Sequence, residues 1–227
     1  MPDPWYRLAS GAGAPAWNMA LDDALFEAAA QLGRPVLRTY AWSEPAATFG
    51  YFQAYEAIAA ATRLRPLIRR PTGGGLVPHL QDWTYAVIIP PVHPWYARRA
   101  VDSYRRMHEW LQRALAACGC ATDLAPCCRE EGPGQCFVGW EKFDLLRGGA
   151  KLAGAAQRRN RDGLLIQGSL QPPPSTLARS AFESALLHTA PDGPVAWHPL
   201  PLSPELLARA GARAGERYGS DTHQRRR

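Results

Sequence analysis

Two kinds of hydrophobic pattern alternate along the chain. Apolar residues near helical spacing predict helices over 18–26, 54–63, 97–117, 176–188 and 203–216. Stretches rich in β-branched and aromatic residues predict strands over 36–42, 47–51 and 83–89, with 47–51 as the partner of 36–42. We predict further strands over 67–70, 143–146, 151–157 and 164–170. Because strands outnumber any regular alternation of strand and helix, we expect an α+β fold rather than a doubly wound sheet.

Local signals set the boundaries of these elements. Asn18 can cap the first helix, and Gly33 can stop it. The turn over 147–149 joins two strands as a hairpin, and three prolines at 172–174 break the pattern after the last strand. We therefore expect a main domain over 1–174, a helical extension of the same domain over 175–216 and a flexible tail over 217–227.

Composition and charge narrow the class of protein. Hydrophobic residues make up 46% of the 227 residues and charged residues 20%, a mixture that can bury a core. The chain has no run of 18 apolar residues and no basic start before an apolar stretch, so we expect no membrane span and a cytoplasmic location. The net charge of +6 suits an acidic partner, but no basic stripe is interleaved with aromatic residues, so we expect no nucleic-acid binding.

The five cysteines form no recognisable framework. Their count is odd and their spacings do not make two CxxC pairs, so we predict neither a set of disulfides nor a metal site. Buried or incidental thiols describe Cys118, Cys120, Cys127 and Cys128 best. Cys136 stands apart, and its thiolate could accept an acyl group, although a lone cysteine is more often structural.

Three consecutive glycines, Gly73, Gly74 and Gly75, follow the basic end of a predicted strand. Without side chains, their N–H groups can approach a carboxylate, a phosphate or a thioester oxygen closely. Arg69 and Arg70 lie beside this loop and offer cationic groups. A plain glycine hairpin is the alternative, and the loop matches neither a P-loop nor a dinucleotide-binding motif.

Lys151 lies in a predicted strand among small residues. It is either a solvated residue on the outer face or a cation that faces a cavity. The small residues Gly154, Ala155 and Ala156 leave room for an extended acyl chain along one edge of the strand, which favours the cavity.

Four segments of the chain form a recognisable set. They are residues 18–22 (NMALD), 69–79 (RRPTGGGLVPH) followed by 83–85 (WTY), 149–159 (GAKLAGAAQRR) and 167–170 (QGSL). In this order they resemble the biotin/lipoate protein ligase superfamily. The resemblance implies a mixed β-sheet flanked by helices, with an acyl group held between the glycine loop and the lysine strand, and makes 1–174 the catalytic domain. It departs from the family's usual pattern at three positions, where Leu80 replaces an acidic residue, Gln167 replaces a histidine and Phe143 precedes Asp144 in place of asparagine.

The resemblance implies attachment of octanoyl or lipoyl groups to a lysine of a lipoyl-domain protein. The position of Cys136 ahead of Lys151 favours an octanoyltransferase, with octanoyl acyl carrier protein as donor, a thioester on Cys136, and no cofactor. The alternatives are a lipoate–protein ligase, which uses free lipoate or octanoate with ATP and Mg²⁺, and a non-catalytic lipoate-binding protein. Substrate contacts are implied for Arg69, Arg70, Thr72, Gly73, Gly74, Gly75, His79, Ala153, Gly154, Ala155, Gly168 and Ser169.

Overall fold

The computed structural model describes residues 1–129, 139–191 and 193–226 of the protein. Within these residues, eight strands form one large sheet: β1 (Asp3–Gly13), β2 (Val36–Trp42), β6 (Trp83–Ile89), β7 (Asp123–Leu124), β8 (Leu145–Arg147), β9 (Ala150–Asn160), β10 (Gly163–Leu170) and β11 (Val195–Pro199). A smaller sheet consists of β3 (Ala46–Phe49), β4 (Leu67–Arg69) and β5 (Val77–His79). The helices of the described chain are α1 (Pro15–Glu27), α2 (Ala29–Leu32), α3 (Tyr55–Ala61), α4 (Ala100–Ala117), α5 (Arg179–His188), α6 (Pro204–Arg213) and α7 (Asp221–Gln224), with a π-helical turn at Ala214–Tyr218.

The large sheet is mixed and covered by helices on both faces. Its order is β11-β1-β2-β6-β10-β9-β8-β7, with parallel pairs at the β11-β1-β2 end and antiparallel pairs in the rest. Alternate residues of β6 enter opposite cores, since Tyr85 and Val87 join the core with α4 and α5, whereas Ala86 and Ile88 join the core with α1 and α6. The α+β prediction and the implied flanked sheet are confirmed.

The predicted partner of β2 lies elsewhere. We expected residues 47–51 to pair with β2, but β3 pairs with β4 and β5 in the small sheet. Both edges of β2 are occupied, by β1 in parallel and by β6 in antiparallel register. Strand composition does not specify which strand pairs with which, so this prediction was wrong. The strand β1 also escaped prediction.

Asn18 is not a helix cap. The first helix begins at Pro15, with Ala14 as the cap, so Asn18 lies inside it. The Asn18 side chain is buried and donates from its amide to the carbonyl oxygens of Gly13 and Ala41, at 3.1 and 2.8 Å. It therefore fastens α1 to the ends of β1 and β2, a tertiary contact that the local pattern of a cap does not distinguish.

The C-terminal region is more structured than predicted. The segment expected to be helical contains β11, which adds to β1 at the edge of the large sheet. The tail that we predicted to be flexible contains the helix α7. Gln224 of this helix is 5% exposed and accepts the backbone N–H of Arg69 through Oε1. Polar side chains here are buried because they satisfy backbone groups, which hydropathy does not reveal. The domain boundary at residue 174 stays a prediction.

None of the helices in the described part of the chain has the length and apolar character needed to cross a bilayer.

Candidate active site

A pocket opens where the large sheet meets the small one. It contains about 480 Å³ of space free of protein atoms, part of it open to solvent. Its lining residues come from α1, β2, β6, β9 and β10, and from β3, β5 and the arginine after β4: Met19, Tyr40, Trp42, Thr48, Arg70, Val77, His79, Thr84, Lys151, Gly154, Ala155, Ala156, Gln167, Gly168 and Ser169. Small and apolar groups therefore share the wall with a few polar ones, as in sites for small molecules.

Lys151 is a buried cation on this wall. Its side chain is 7% exposed, and its Nζ lies 2.7 Å from Oδ2 of Asp144, whose side chain is fully buried. The ammonium crosses over Gly154, where a Cβ atom would lie only 2.8 Å from Nζ. The absence of a side chain at Gly154 thus leaves the space that the Lys151 ammonium occupies. Of the two readings of the sequence, the cavity-facing cation agrees with this placement.

A second polar cluster surrounds the lining residue His79. His79 contacts Thr48 through Nε2 at 2.9 Å and Asp82 through Nδ1 at 2.8 Å, while Trp42 stacks on its ring. The same Asp82 oxygen accepts from Thr84 and from Ser169, at 2.9 and 2.6 Å. Burial raises the pKa of Asp82, but these hydrogen bonds and the neighbouring His79 outweigh burial and hold the pKa below its usual value.

The acidic residue expected at position 80, directly after the motif histidine, is thus supplied two positions later by Asp82. Leu80 is 63% exposed, whereas Asp82 is 5% exposed and holds the His79 ring. Because Nδ1 of His79 faces a carboxylate, that nitrogen carries a proton and fixes the orientation of the ring.

The two arginines of the glycine motif differ in position. Arg70 lines the pocket and donates from Nε and Nη2 to the Gly73 carbonyl, at 3.0 and 2.5 Å. Arg69 lies outside the lining, is 1% exposed, and donates five hydrogen bonds to backbone carbonyls of the described chain. These carbonyls belong to Tyr51, Gln53, His223, Gln224 and Arg226.

The glycine loop is held in place by close backbone contacts. Gly74 adopts a φ of 83°, a left-handed value that favours glycine, and a Cβ on Gly50 would lie 1.8 Å from the Gly74 carbonyl oxygen. At Gly73, by contrast, an added Cβ would meet nothing within 4 Å. Gly73, Gly74 and Gly75 are not among the lining residues, so their contact with substrate stays a prediction.

A chain of buried hydrogen bonds connects the loop to the large sheet. Thr72 donates to Oε1 of Gln167 at 2.8 Å, and Nε2 of Gln167 donates to Asp22 at 2.7 Å. Asp22 also forms a 2.5 Å ion pair with Arg38 and accepts from the Tyr40 hydroxyl at 2.9 Å. Gln167 stands at the position of the family's histidine and bridges the Thr72 hydroxyl and the Asp22 carboxylate. Its neutral amide accepts from the first group through oxygen and donates to the second through nitrogen.

The structure brings seven of the predicted site residues to one pocket: Arg70, His79, Lys151, Gly154, Ala155, Gly168 and Ser169. The lining does not include Arg69, Thr72, Gly73, Gly74, Gly75 or Ala153. The prediction did not name Met19, Tyr40, Trp42, Thr48, Val77, Thr84 or Gln167 as site residues, and it named Ala156 only as one of the small residues that leave room for an acyl chain. The first three lie on elements without a glycine or lysine motif, and strand alternation is the signal that could have found Thr84 next to buried Tyr85.

Cys136 lies outside the described residues. The described chain stops at Arg129 and resumes at Gly139, and Arg129 and Trp140 pair through two backbone hydrogen bonds of 2.8 and 2.9 Å. From Trp140 the chain runs to Asp144, the partner of Lys151.

Comparison with known proteins agrees with this architecture. A Thermoplasma acidophilum protein solved with bound lipoic acid superposes with a TM-score of 0.77 at 18% identity, covering 99% of both chains. A lipoate-protein ligase A bound with ATP gives a TM-score of 0.75 at 18% identity, covering 99% of this chain and 98% of the other. The fold is therefore that of lipoate protein ligases.

Sequence comparison reaches the same class. An octanoyltransferase LipM of Kyrpidia tusciae is 35% identical over 184 residues, covering 73% of this chain and 65% of the relative. The octanoyltransferase LipM of Staphylococcus aureus is 31% identical, covering 75% of this chain and 66% of the relative. The match thus spans just under two thirds of the length of each relative. The model of the lipoyl protein ligase A/B catalytic domain matches residues 14–190, and the chain belongs to that family.

Proposed function

We propose that this protein transfers an octanoyl group from an acyl carrier protein to a lysine of a lipoyl-domain protein, through a thioester on Cys136. The observation that carries the proposal is the buried ammonium of Lys151 in the wall of a pocket lined largely by small and apolar groups. The curated relatives support it, since several at 30–35% identity are named octanoyltransferases.

The acyl chain would lie along the apolar part of the pocket. Met19, Val77, Ala155 and Ala156 present hydrocarbon surface there, and burial of each methylene group contributes about 0.8 kcal/mol. Gly168 also lines the pocket. It has no room for a side chain, because a Cβ atom there would lie 2.1 Å from the hydroxyl oxygen of Tyr85.

The proposed chemistry proceeds in two acyl transfers. The Cys136 thiolate attacks the carbonyl carbon of the octanoyl thioester, a carbon–sulfur bond to Cys136 forms, and the carrier's thiolate leaves. The neutral amine of the acceptor lysine then attacks the new thioester and releases the Cys136 thiolate. Over the two transfers the amine loses one proton, and the carrier's thiolate gains one proton to become a thiol. Lys151 would favour the Cys136 thiolate electrostatically and donate a proton to the departing thiolate of the carrier in the first step. As the resulting neutral amine, it would accept the proton that the acceptor lysine loses in the second step.

Backbone groups would stabilise the negative oxygen of each tetrahedral intermediate. We assign this role to the N–H groups of Gly74 and Gly75, each worth a few kcal/mol where it points at the developing charge. Arg70 supports the assignment, since its guanidinium holds the Gly73 carbonyl and so orients the loop.

The deciding experiment supplies the protein with two donors in parallel, octanoyl carrier protein alone and octanoate with ATP and Mg²⁺. An apo lipoyl domain is the acceptor in both. We expect octanoylation with the carrier protein only, and before the acceptor is added, an intact-mass increase of one octanoyl group that maps to Cys136. Cys136→Ser should abolish transfer, and the control Cys128→Ser, a change at an exposed thiol, should retain it.

Other outcomes assign other functions. Pyrophosphate release from ATP that depends on octanoate or lipoate, together with full activity of Cys136→Ser, would identify a ligase. Binding of the acyl compound with turnover of neither donor would identify a non-catalytic lipoate-binding protein.

A further inference from the structure

A buried polar cluster lies behind Lys151 and has no part in the chemistry proposed above. Tyr104 and His108, one helical turn apart on α4, face the carboxylate of Asp144. The Tyr104 hydroxyl donates to Oδ1 of Asp144. The other oxygen, Oδ2, receives the Lys151 ammonium at 2.7 Å and the Glu141 N–H at 2.8 Å. The two oxygens of one carboxylate are thus held by different elements.

The Tyr104 hydroxyl has a second partner in the pocket wall. It accepts the backbone N–H of Ala155 at 3.2 Å. In the part of the chain that the structure describes, the register of β8 with β9 ends at Ala153, and beyond that residue β9 contacts α4 through Tyr104 and Ala100. Tyr104 therefore satisfies a strand-edge N–H and binds the counterion of Lys151 with the same oxygen atom.

The ionisation states keep this arrangement intact. Burial, and next the charge of Asp144, raise the pKa of Tyr104 well above its ordinary value, so the phenol stays a donor. Nδ1 of His108 lies 3.0 Å from the Tyr104 carbonyl and therefore carries the proton. Burial lowers the pKa of His108, which leaves a neutral ring whose Nε2 is 3.9 Å from Oδ1. His108 thus does not compete with Lys151 for the carboxylate.

We infer that Tyr104 is a positioning residue for Lys151, acting through Asp144. With Oδ1 fixed by the hydroxyl, the carboxylate presents Oδ2 toward the pocket and keeps the ammonium over Gly154. The consequence for acyl transfer rests on the proposed function, whereas the consequence for the environment of the Lys151 amine does not.

The sequence offers an assay that needs no activity. Lys142 and Lys151 are the two lysines in the chain, and Lys142 is exposed. Trace acetylation with acetic anhydride at pH 8, read by peptide mass spectrometry, gives the labelling ratio of Lys151 to Lys142. In Tyr104→Phe the ratio should rise about tenfold, the factor that corresponds to 1.36 kcal/mol, because a looser carboxylate exposes the amine.

Tyr96→Phe is the matched control. Its hydroxyl donates to the Asn160 carbonyl at 2.9 Å, so the change removes a comparable hydrogen bond to β9 without touching Asp144. We expect its labelling ratio to stay within twofold of the wild type. An unchanged ratio in Tyr104→Phe, or an equal rise in both variants, overturns the inference.

A double-mutant cycle tests the route through Asp144. Adding Tyr104→Phe to Asp144→Asn should change the labelling ratio less than twofold, because the residue that Tyr104 orients has already lost its charge. A full tenfold effect in that background would show that Tyr104 acts through Ala155 instead. If Asp144→Asn does not fold, the comparison of Tyr104→Phe with Tyr96→Phe decides alone.

The kinetic arm separates this inference from the proposed function. With octanoyl carrier protein as donor, Tyr104→Phe should lower kcat about tenfold and leave KM nearly unchanged. A kcat equal to that of Tyr96→Phe would oppose the inference. A wild-type protein that transfers no octanoyl group would refute the proposed function, and the labelling ratio would still decide the role of Tyr104.

Discussion

Lys151 and Arg69 are both buried cations beside motif residues, but the structure uses them in different ways. Lys151 pairs with a buried carboxylate and lies in the wall of the pocket. Arg69 pairs with neutral carbonyls from two separate parts of the chain and lies outside the pocket lining. The first arrangement places a charge in the wall of a pocket, whereas the second uses a charged group to connect backbone segments. Burial of a cation therefore does not by itself mark a binding site.

The surroundings explain the difference. Around Lys151, Gly154 leaves space and Asp144 supplies compensating charge. Around Arg69, α7 and the chain after α7 close over the guanidinium and accept hydrogen bonds from it. Burial lowers the pKa of Arg69, and the nearby Arg226 adds to this effect, so the carbonyl dipoles are what hold the cation there.

The largest expected effect is on activity, at Lys151. Lys151→Met should lower the rate of octanoyl transfer about a thousandfold, since a group that manages charge and protons contributes factors of 10² to 10⁴. Lys151→Arg should also be impaired, because a guanidinium does not fit over Gly154 as an ammonium does. Circular dichroism and transfer kinetics measure both, with Lys142→Met as the control. If folded Lys151→Met keeps more than a tenth of the wild-type activity, Lys151 is not needed for transfer, and it no longer differs from Arg69 in function.

The next effect is on stability, at Arg69. Arg69→Met leaves buried carbonyl groups without donors and should lower the free energy of unfolding by about 3 kcal/mol. The folded fraction should keep a kcat near that of the wild type. Urea unfolding measures the loss, and Arg65→Met, a change at an exposed arginine that also binds carbonyls, should cost little. A large fall in kcat without loss of stability would mean that Arg69 contacts substrate.

The smallest effect is on the dependence of stability on pH. Burial lowers the pKa of His223 to about 4, with a further contribution from Arg217, so the unfolded chain binds protons more readily than the folded one below pH 6.5. Stability from this source is complete above pH 6.5 and declines as the pH falls toward 4. Between pH 7 and pH 5, we expect Tm to fall about 2 °C less in His223→Gln than in the wild type.

His108 makes that experiment informative about both regions. Burial lowers its pKa as well, so it also destabilises the folded protein as the pH falls below 6.5. His223→Gln should therefore remove part of the acid sensitivity and leave the pH profile of transfer unaltered, because His223 lies at Arg69 rather than at the pocket. A changed pH profile of transfer in His223→Gln would show that the region around Arg69 and the pocket are coupled.

Local pattern predicted the central strands well and their partners poorly. The strand over 83–89 appears where its composition indicates, and the lysine strand begins at Ala150, next to Lys151. In contrast, 47–51 reads as a partner for β2 because both have strand composition, although β1 and β6 already fill the two edges of β2. Composition records the tendency to be a strand, and pairing depends on residues far away in sequence.

The sequence by itself determined the motifs that relate this chain to its family: the arginine and glycine motif, His79, Lys151 and the small residues after it. Only the tertiary structure decided that Lys151 faces a pocket while Arg69 secures the C-terminal segment. It also supplied the partners, Asp144 for the amine and Tyr104 behind it, from a loop and a helix that the lysine motif does not contain. The physical reason is that a buried charge is stabilised by whatever groups the fold places around it, and those groups need not be neighbours along the chain.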